Sequence, residues 1–472
     1  MAQNVADILG CPLDMAQGLM EAAGGDESLA IELGLGSMGG GGAMMDDDGP
    51  GGAPAEQQQS SPSFQPPYAH WTAIWPEQEP IPPSWKDQRL DVTTPEGGGI
   101  IQPLNGPCGV LSVVQGEIWL RTQTLASFEE RLTAAIHAIL SRILEQYKQP
   151  HVTLADGSTK SVEEASKEIR TAVALVEAAA STAGPNNLRS MTTLVEGPHW
   201  LCSSDLMCLL LRGHIGSGNL GAWNPDTRQK WQFYGDKPQE LGLLSMMEIQ
   251  EGINVADDLK FSKKKVWVLH TGDHFMTMRF AEGTDNKLEV FNGLKPVGPM
   301  TQYFVLSGDT SLASPAEEIH EESFKKKRPG QADDIVQARK TNNNNYKDWS
   351  FEVVPMVEDE SVQGPLDDDP NEPIYKFDNP PTDGGPWRCA SCYYTRFSTM
   401  SFGQNDGGDT CGACGKTRSQ AFWSLWLPYS ELSPRMQRRA RQMYAPRVEL
   451  LISTLYPQAD IVETSPDAVR ML

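Results

Sequence analysis

The sequence predicts an α+β fold for the central part of the chain, from Gly97 to about Leu306, and three observations carry that prediction. From Phe128 to Leu211 apolar residues recur at three- and four-residue steps, the period of helices with one buried face. From Val266 to Asn292 they instead form short runs, VWVLH, HFMTMRF and LEVFN, separated by turn residues, as strands do. Between 97 and 119 a glycine-rich loop and a Gly106-Pro107-Cys108-Gly109 turn lead into an apolar run with Val110, Leu111, Val114 and Ile118 on one stripe. A helix therefore starts at or just after Cys108.

The chain of 472 residues has room for two to four domains. Its formal charge of −23 argues against a nucleic-acid or anionic-membrane surface, since phosphate contacts need a basic face. No run reaches the length of a membrane span, and the N-terminus lacks the charged-then-apolar pattern of a secretory signal. The eight cysteines form no disulfide scaffold, and four cluster with metal spacing, which fits a cytoplasmic or nuclear protein.

In chain order, residues 1–36 read as a three-helix module: Val5, Ile8 and Leu9, a Cys11-Pro12 turn, then Met15, Leu19 and Met20, a Gly24-Gly25 stop, and a third helix capped by Asp26. NVADILGCPLDMAQGLMEAAGGDESLAIEL resembles a ubiquitin-associated (UBA-like) domain. Residues 37–68 are a Gly-, Gln-, Ser- and Pro-rich linker. Trp71, Trp75 and Trp85 are expected to pack over the domain that follows, 69–308. Within it, Phe128, Leu132, Ile136, Ile139, Ile143 and Tyr147 form a core stripe, and Ser161 with Glu164 forms a capping box for a helix running through Ala180. Asp205 is expected to cap DLMCLLLRG, with Cys202 and Cys208 as packing residues, and WQFY at 231–234 reads as a further strand. Residues 309–385 read as a mostly flexible acidic linker, with strand character at 347–358. Its Lys325-Lys326-Lys327-Arg328 cluster has the composition of a nuclear import signal, although short basic clusters are usually solvated charge.

Residues 386–420 form the second strong signal. Cys389-x2-Cys392 and Cys411-x2-Cys414 each have knuckle spacing, and together they supply four thiolates for one structural zinc ion; the alternatives are redox or packing cysteines. Trp387-Arg388-Cys389 resembles the start of the Ran-binding-protein and NZF type of zinc finger. The 18 residues between the pairs exceed that family's gap, and Tyr393-Tyr394 stands where its ubiquitin-binding members carry Thr-Phe. Residues 421–472 read as a basic helical region carrying Arg435, Arg438, Arg439 and Arg441.

The candidate chemistry centres on Cys108. A thiol at a helix start faces unpaired N–H groups and the positive end of the helix dipole, which favour the nucleophilic thiolate. Gln102, six positions earlier, offers a side-chain amide to an oxyanion, the pairing that thiol proteases on the papain plan use. The opposing reading is a small buried hydrophobe. A thiol nucleophile needs a base, usually His. Of eight histidines, His70, His137, His151, His199, His214 and His320 lie in contexts that give no reason to face Cys108. His274, opening a strand, and His270, ending the preceding one, are left as rivals.

IIQPLNGPCGVLSVVQGEI resembles the signature of the MINDY family of deubiquitinating cysteine proteases, in the branch of its third and fourth human members. VWVLHTGDHFMTMRF, LEVFNGLK and LLLRGHIGSGNL resemble further blocks of that branch in the same order, across 69–305. The resemblance implies a papain-like fold variant, with Cys108 as nucleophile, His274 as general base and Gln102 as oxyanion donor. Asn292, ending the next strand, is where a papain-type orienting residue would sit. It further implies hydrolysis of isopeptide bonds in polyubiquitin, with preference for the proteasome-directing linkage, and ubiquitin chains and ubiquitinated proteins as partners. Pro103-Leu104-Asn105 departs from the loop that relatives carry. The alternative from another class is a weakly catalytic polyubiquitin-binding adaptor acting through the UBA-like module and the finger.

Overall fold

The computed structural model describes residues 71–76, 80–94, 98–103, 106–122, 124–125, 127–188, 193–215, 220–221, 238–250, 253–294, 300–315, 332–341, 345–355, 375–376, 409–411, 415–417, 419 and 425–464. The UBA-like segment, the 37–68 linker, the 231–234 strand, the basic cluster at 325–328 and Cys389, Cys392 and Cys414 lie outside them. Two compact units emerge, residues up to 317 together with 451–472, and residues 318–450.

The first unit is α+β. Among the described residues, five helices of seven or more residues precede its main sheet: α1 Cys108–Trp119, α2 Phe128–Tyr147, α3 Val162–Glu168, α4 Ala172–Ala183 and α5 Ser204–Arg212. Strands β1 Leu241–Ser245, β2 Val266–His270, β3 Phe275–Phe280, β4 Lys287–Phe291 and β5 Thr301–Gly308 follow. They stand in chain order in one mixed sheet, β1 parallel to β2 and the rest antiparallel. Every residue of α1 is buried, so this helix is a central rod and not an amphipathic surface element. Burying Glu117 on it requires compensation, which Arg121 at 2.6 Å and Arg142 of α2 at 2.5 Å supply. Thr277 Oγ1 on β3 donates to the Ser112 carbonyl of α1 at 3.1 Å, joining helix to sheet. Trp71, Trp75 and Trp85 are buried in this core as expected, Trp75 edge-on to Trp85.

Several expectations need correcting. The Ser161–Glu164 capping box forms, but its helix stops at Glu168 and a second helix begins after Thr171. The break is fixed by backbone pairing: Leu90 N–H donates to the Arg170 carbonyl and Ala172 N–H to the Gln88 carbonyl, while the Thr171 hydroxyl caps α4. The cap of α5 is Ser203, whose hydroxyl accepts from Leu206 N–H at 3.1 Å; Asp205 is a buried first-turn residue. The C-terminal region is not wholly helical, since Ala459–Glu463 pairs antiparallel with β5 and closes that edge of the sheet.

In the second unit one strand, Ala332–Arg339, lies where the sequence suggested flexible linker, Ser350–Pro355 falls within the stretch given strand character, and Leu425–Pro428 lies where a helical region was expected. β6 Ala332–Arg339, β7 Ser350–Pro355 and β8 Leu425–Pro428 form an antiparallel sheet with β7 central. Helix α6 Pro434–Tyr444, capped by Ser433, buries Met436 and Ala440, four residues apart. These join Ile335, Trp349, Phe351 and Val353 in a small core of their own. Tyr346 is buried and satisfies its hydroxyl on Glu449 Oε1 at 2.8 Å.

Candidate active site

Cys108 is the first residue of α1, behind Pro107, and is 5% exposed. The loop between β2 and β3 turns tightly, with Thr271 N–H and Oγ1 both donating to the His274 carbonyl, at 2.9 and 3.0 Å. That turn leaves His274 as the residue entering β3, where its ring hydrogen-bonds Cys108 on one side and Asn292 on the other. Asn292, just past the end of β4, lies with Oδ1 2.9 Å from His274 Nε2. The same Oδ1 accepts from Leu294 N–H at 3.0 Å, which identifies it as the oxygen and makes Nε2 the donor. The imidazole is thus held in one orientation, with Nδ1 left for the sulfur. Burial works against a charge on His274. The Cys108 sulfur, the Asn292 bond and Asp273 outweigh it and hold the ring above the ordinary imidazole range.

His270, the rival base, is occupied elsewhere. Its Nε2 lies 3.1 Å from the Gly272 carbonyl, an acceptor only, so Nε2 carries the proton and Nδ1 accepts from Ser245 Oγ at 2.9 Å. The ring stacks on Phe275 with centroids 4.4 Å apart, and burial pushes its pKa below the ordinary histidine value. His270 is a satisfied, neutral structural residue.

Gln102 is buried and adjoins the same strand end: its N–H donates to the Gly293 carbonyl at 2.7 Å, and it bridges Leu294 in parallel. Cys108, His274 and Asn292 are therefore brought together by side-chain bonds, and Gln102 reaches their neighbourhood through its backbone.

Sequence reading missed one neighbour. Cys202, expected to be a packing residue, accepts from the N–H groups of Gly109 and Val110 in the first turn of α1. Burial and the nearby Cys108 raise its thiol well above the ordinary range. The approach needs Gly109, since a Cβ there would stand 2.9 Å from the Cys202 Cβ and 2.8 Å from Met207 Sδ. No local signal in the sequence announces this pairing. Cys208, by contrast, is core, raised to about 11 by burial.

Of the expected metal ligands, only Cys411 is among the described residues. It is buried and opens a tight hairpin: its N–H donates to the Lys416 carbonyl, and Gly415, at φ 72°, returns an N–H to the Cys411 carbonyl, both at 2.8 Å. Among the described residues no group of three or more His, Cys, Asp or Glu side chains could hold a metal ion, and no helix is long and apolar enough to cross a membrane. Comparison with protein-family models, curated proteins and solved structures finds no match for this chain.

Proposed function

We propose that this chain is a cysteine-type deubiquitinase that hydrolyses isopeptide bonds of polyubiquitin. One observation carries the reading: His274 is held between Cys108 and Asn292, with its tautomer set by the 2.9 Å bond to Asn292 Oδ1. A nucleophile at the start of a buried helix, a base entering a strand and an amide beyond the next strand make the arrangement of papain-type thiol proteases. The resemblance of the flanking motifs to the MINDY family supplies the substrate class, and with it a preference for the proteasome-directing linkage. Ubiquitin chains and ubiquitinated proteins are its partners, met in the cytoplasm or nucleus.

In this mechanism His274 takes the Cys108 proton through Nδ1, and the sulfur attacks the carbonyl carbon of ubiquitin's C-terminal glycine. The oxyanion that forms is met by the Gln102 side-chain amide and the Cys108 backbone N–H. Collapse expels the substrate lysine amine, which receives the proton from His274 and leaves a thioester. His274 then deprotonates water, which hydrolyses the thioester. Zinc takes no part in these steps; Cys389, Cys392, Cys411 and Cys414 would hold it as a structural ion that folds the finger.

Ubiquitin bearing a C-terminal electrophile provides the test. The full chain is expected to form a covalent adduct that Cys108→Ala abolishes, and to cleave defined chains. A wild-type chain that captures polyubiquitin without labelling or cleaving it refutes the protease and leaves an adaptor.

A further inference from the structure

Gln115 is fully buried on α1, seven residues and so about two turns beyond Cys108, on the same side of the helix. Its side chain leaves the helix and serves the glycine-rich segment: Oε1 accepts from Ile100 N–H at 2.9 Å, and Nε2 donates to the Gly98 carbonyl at 3.3 Å. That segment leads within two residues to Gln102. On its other side it is pressed against the strand that presents Asn292. A Cβ at Gly99 would lie 2.2 Å from the Phe291 ring, and Gln102 N–H is bound to the Gly293 carbonyl. Residues 98–102 are thus clamped between the nucleophile's helix and the end of β4, and Gln115 is the helix side of the clamp.

We propose that Gln115 is a positioning residue for the oxyanion donor, fixing the segment 98–102 so that Gln102 is set in register with Cys108. This rests on the protease reading above. Gln115 bonds to Ile100 and Gly98 and not to Cys108 or His274, so its effect is carried by the segment 98–102 that bears Gln102. The Oε1 bond matters most, because a buried Ile100 N–H left without a partner is relieved only by a shift of the loop, whereas the Gly98 carbonyl lies on an exposed residue that water can reach.

Gln115→Met keeps the volume and removes both bonds. With a fluorogenic ubiquitin substrate, kcat is expected to fall about 10- to 100-fold, as for a sub-ångström to ångström misplacement, with KM within about twofold. Alkylation of Cys108 by iodoacetamide develops no oxyanion, so its rate and pH profile are expected to match the wild type. Because the two glutamines act in series, the double variant Gln115→Met/Gln102→Ala is expected to be no slower than Gln102→Ala alone. Gln115→Glu gives a second reading: a protonated carboxyl again donates to the Gly98 carbonyl and accepts from Ile100 N–H, so its kcat relative to wild type rises as pH falls. Multiplying losses in the double variant, a parallel loss of alkylation, or an undiminished kcat in Gln115→Met overturns the role. A wild-type chain that cleaves nothing refutes the protease reading instead, and this role with it.

Discussion

Replacing Asn292 separates an orienting residue from a structural one. Its Oδ1 accepts two hydrogen bonds, from His274 Nε2 at 2.9 Å and from Leu294 N–H at 3.0 Å. Asn292→Ala removes both and leaves the imidazole free to turn about its own axis. A hydrogen bond to a charged partner contributes roughly 1.5–3 kcal/mol. The His274 bond, which strengthens as the ring takes the Cys108 proton, therefore translates to roughly a ten- to hundredfold loss of kcat at about 1.4 kcal/mol per decade. The pH dependence gives the sign. His274 stands above a free imidazole despite its burial, through Cys108, Asn292 and Asp273, so it keeps its proton to higher pH than the ordinary value near 6.5. The stability this shift contributes is complete below that value and is lost as pH rises through the raised one. In Asn292→Ala the alkaline limb of Cys108 alkylation is expected to move to lower pH. In Asn292→Asp, which keeps both acceptor functions and adds a charge, it is expected to move higher. An alanine variant with kcat within about twofold of wild type, or limbs that do not move in opposite directions, would refute the orienting role.

The two histidines are distinguished directly: His274→Gln is expected to lose roughly a thousandfold or more in turnover, whereas His270→Gln, which can still donate to the Gly272 carbonyl, stays within a few-fold when ubiquitin-probe labelling is followed. Asp258→Ala breaks a two-pronged ion pair with Arg212, 2.7 and 2.9 Å long and almost wholly buried, and is expected to cost about 3–5 kcal/mol in chemical denaturation. Replacing both partners by leucine is expected to cost less, because no charge is then stranded. Elemental analysis of the full chain is expected to find one zinc per molecule, and Cys411→Ser to lower that content while probe labelling of Cys108 persists.

What the sequence makes legible is what neighbours along the chain decide. The β2 and β3 runs follow from alternation and a Thr-Gly-Asp turn, and both strands end within a residue of the expected places. The start of α1 follows from Gly-Pro-Cys before an apolar run. Where a distant segment decides, local rules mislead. The 161–183 stretch keeps helical periodicity throughout, yet pairing with residues 88–90 breaks it at Thr171. The edge strand at Ala459–Glu463 has little pattern of its own and exists because β5 offers it a free edge. Cys202 meets the first turn of α1 only because α5 and the short antiparallel pairing of Val195–Glu196 with Leu201–Cys202 bring it there, and Gln115 looks like any interior helix residue until the backbone of Gly98 and Ile100 arrives beside it.

The Cys108, His274 and Asn292 group shows both sides of this division within a few residues. Sequence places His274 at the start of one strand and Asn292 at the end of the next, but a strand end has two faces. The β3–β4 register, Thr277 opposite Phe291 and Met278 opposite Val290, decides which face Asn292 presents. A slip of one residue would turn every β4 side chain to the opposite face and carry Asn292 away from the imidazole. That slip is opposed by the core, because Leu288 and Val290 are buried by the register that exists, while Lys287 and Glu289 occupy the other face. Glu289 is further tied at 2.8 Å to Arg279, its partner across the ladder. The hydrophobic alternation of β4 thus fixes not only the sheet but the orientation of the His274 ring, and under the proposed protease function moving an apolar residue of that strand by one position would be a catalytic change as much as a structural one.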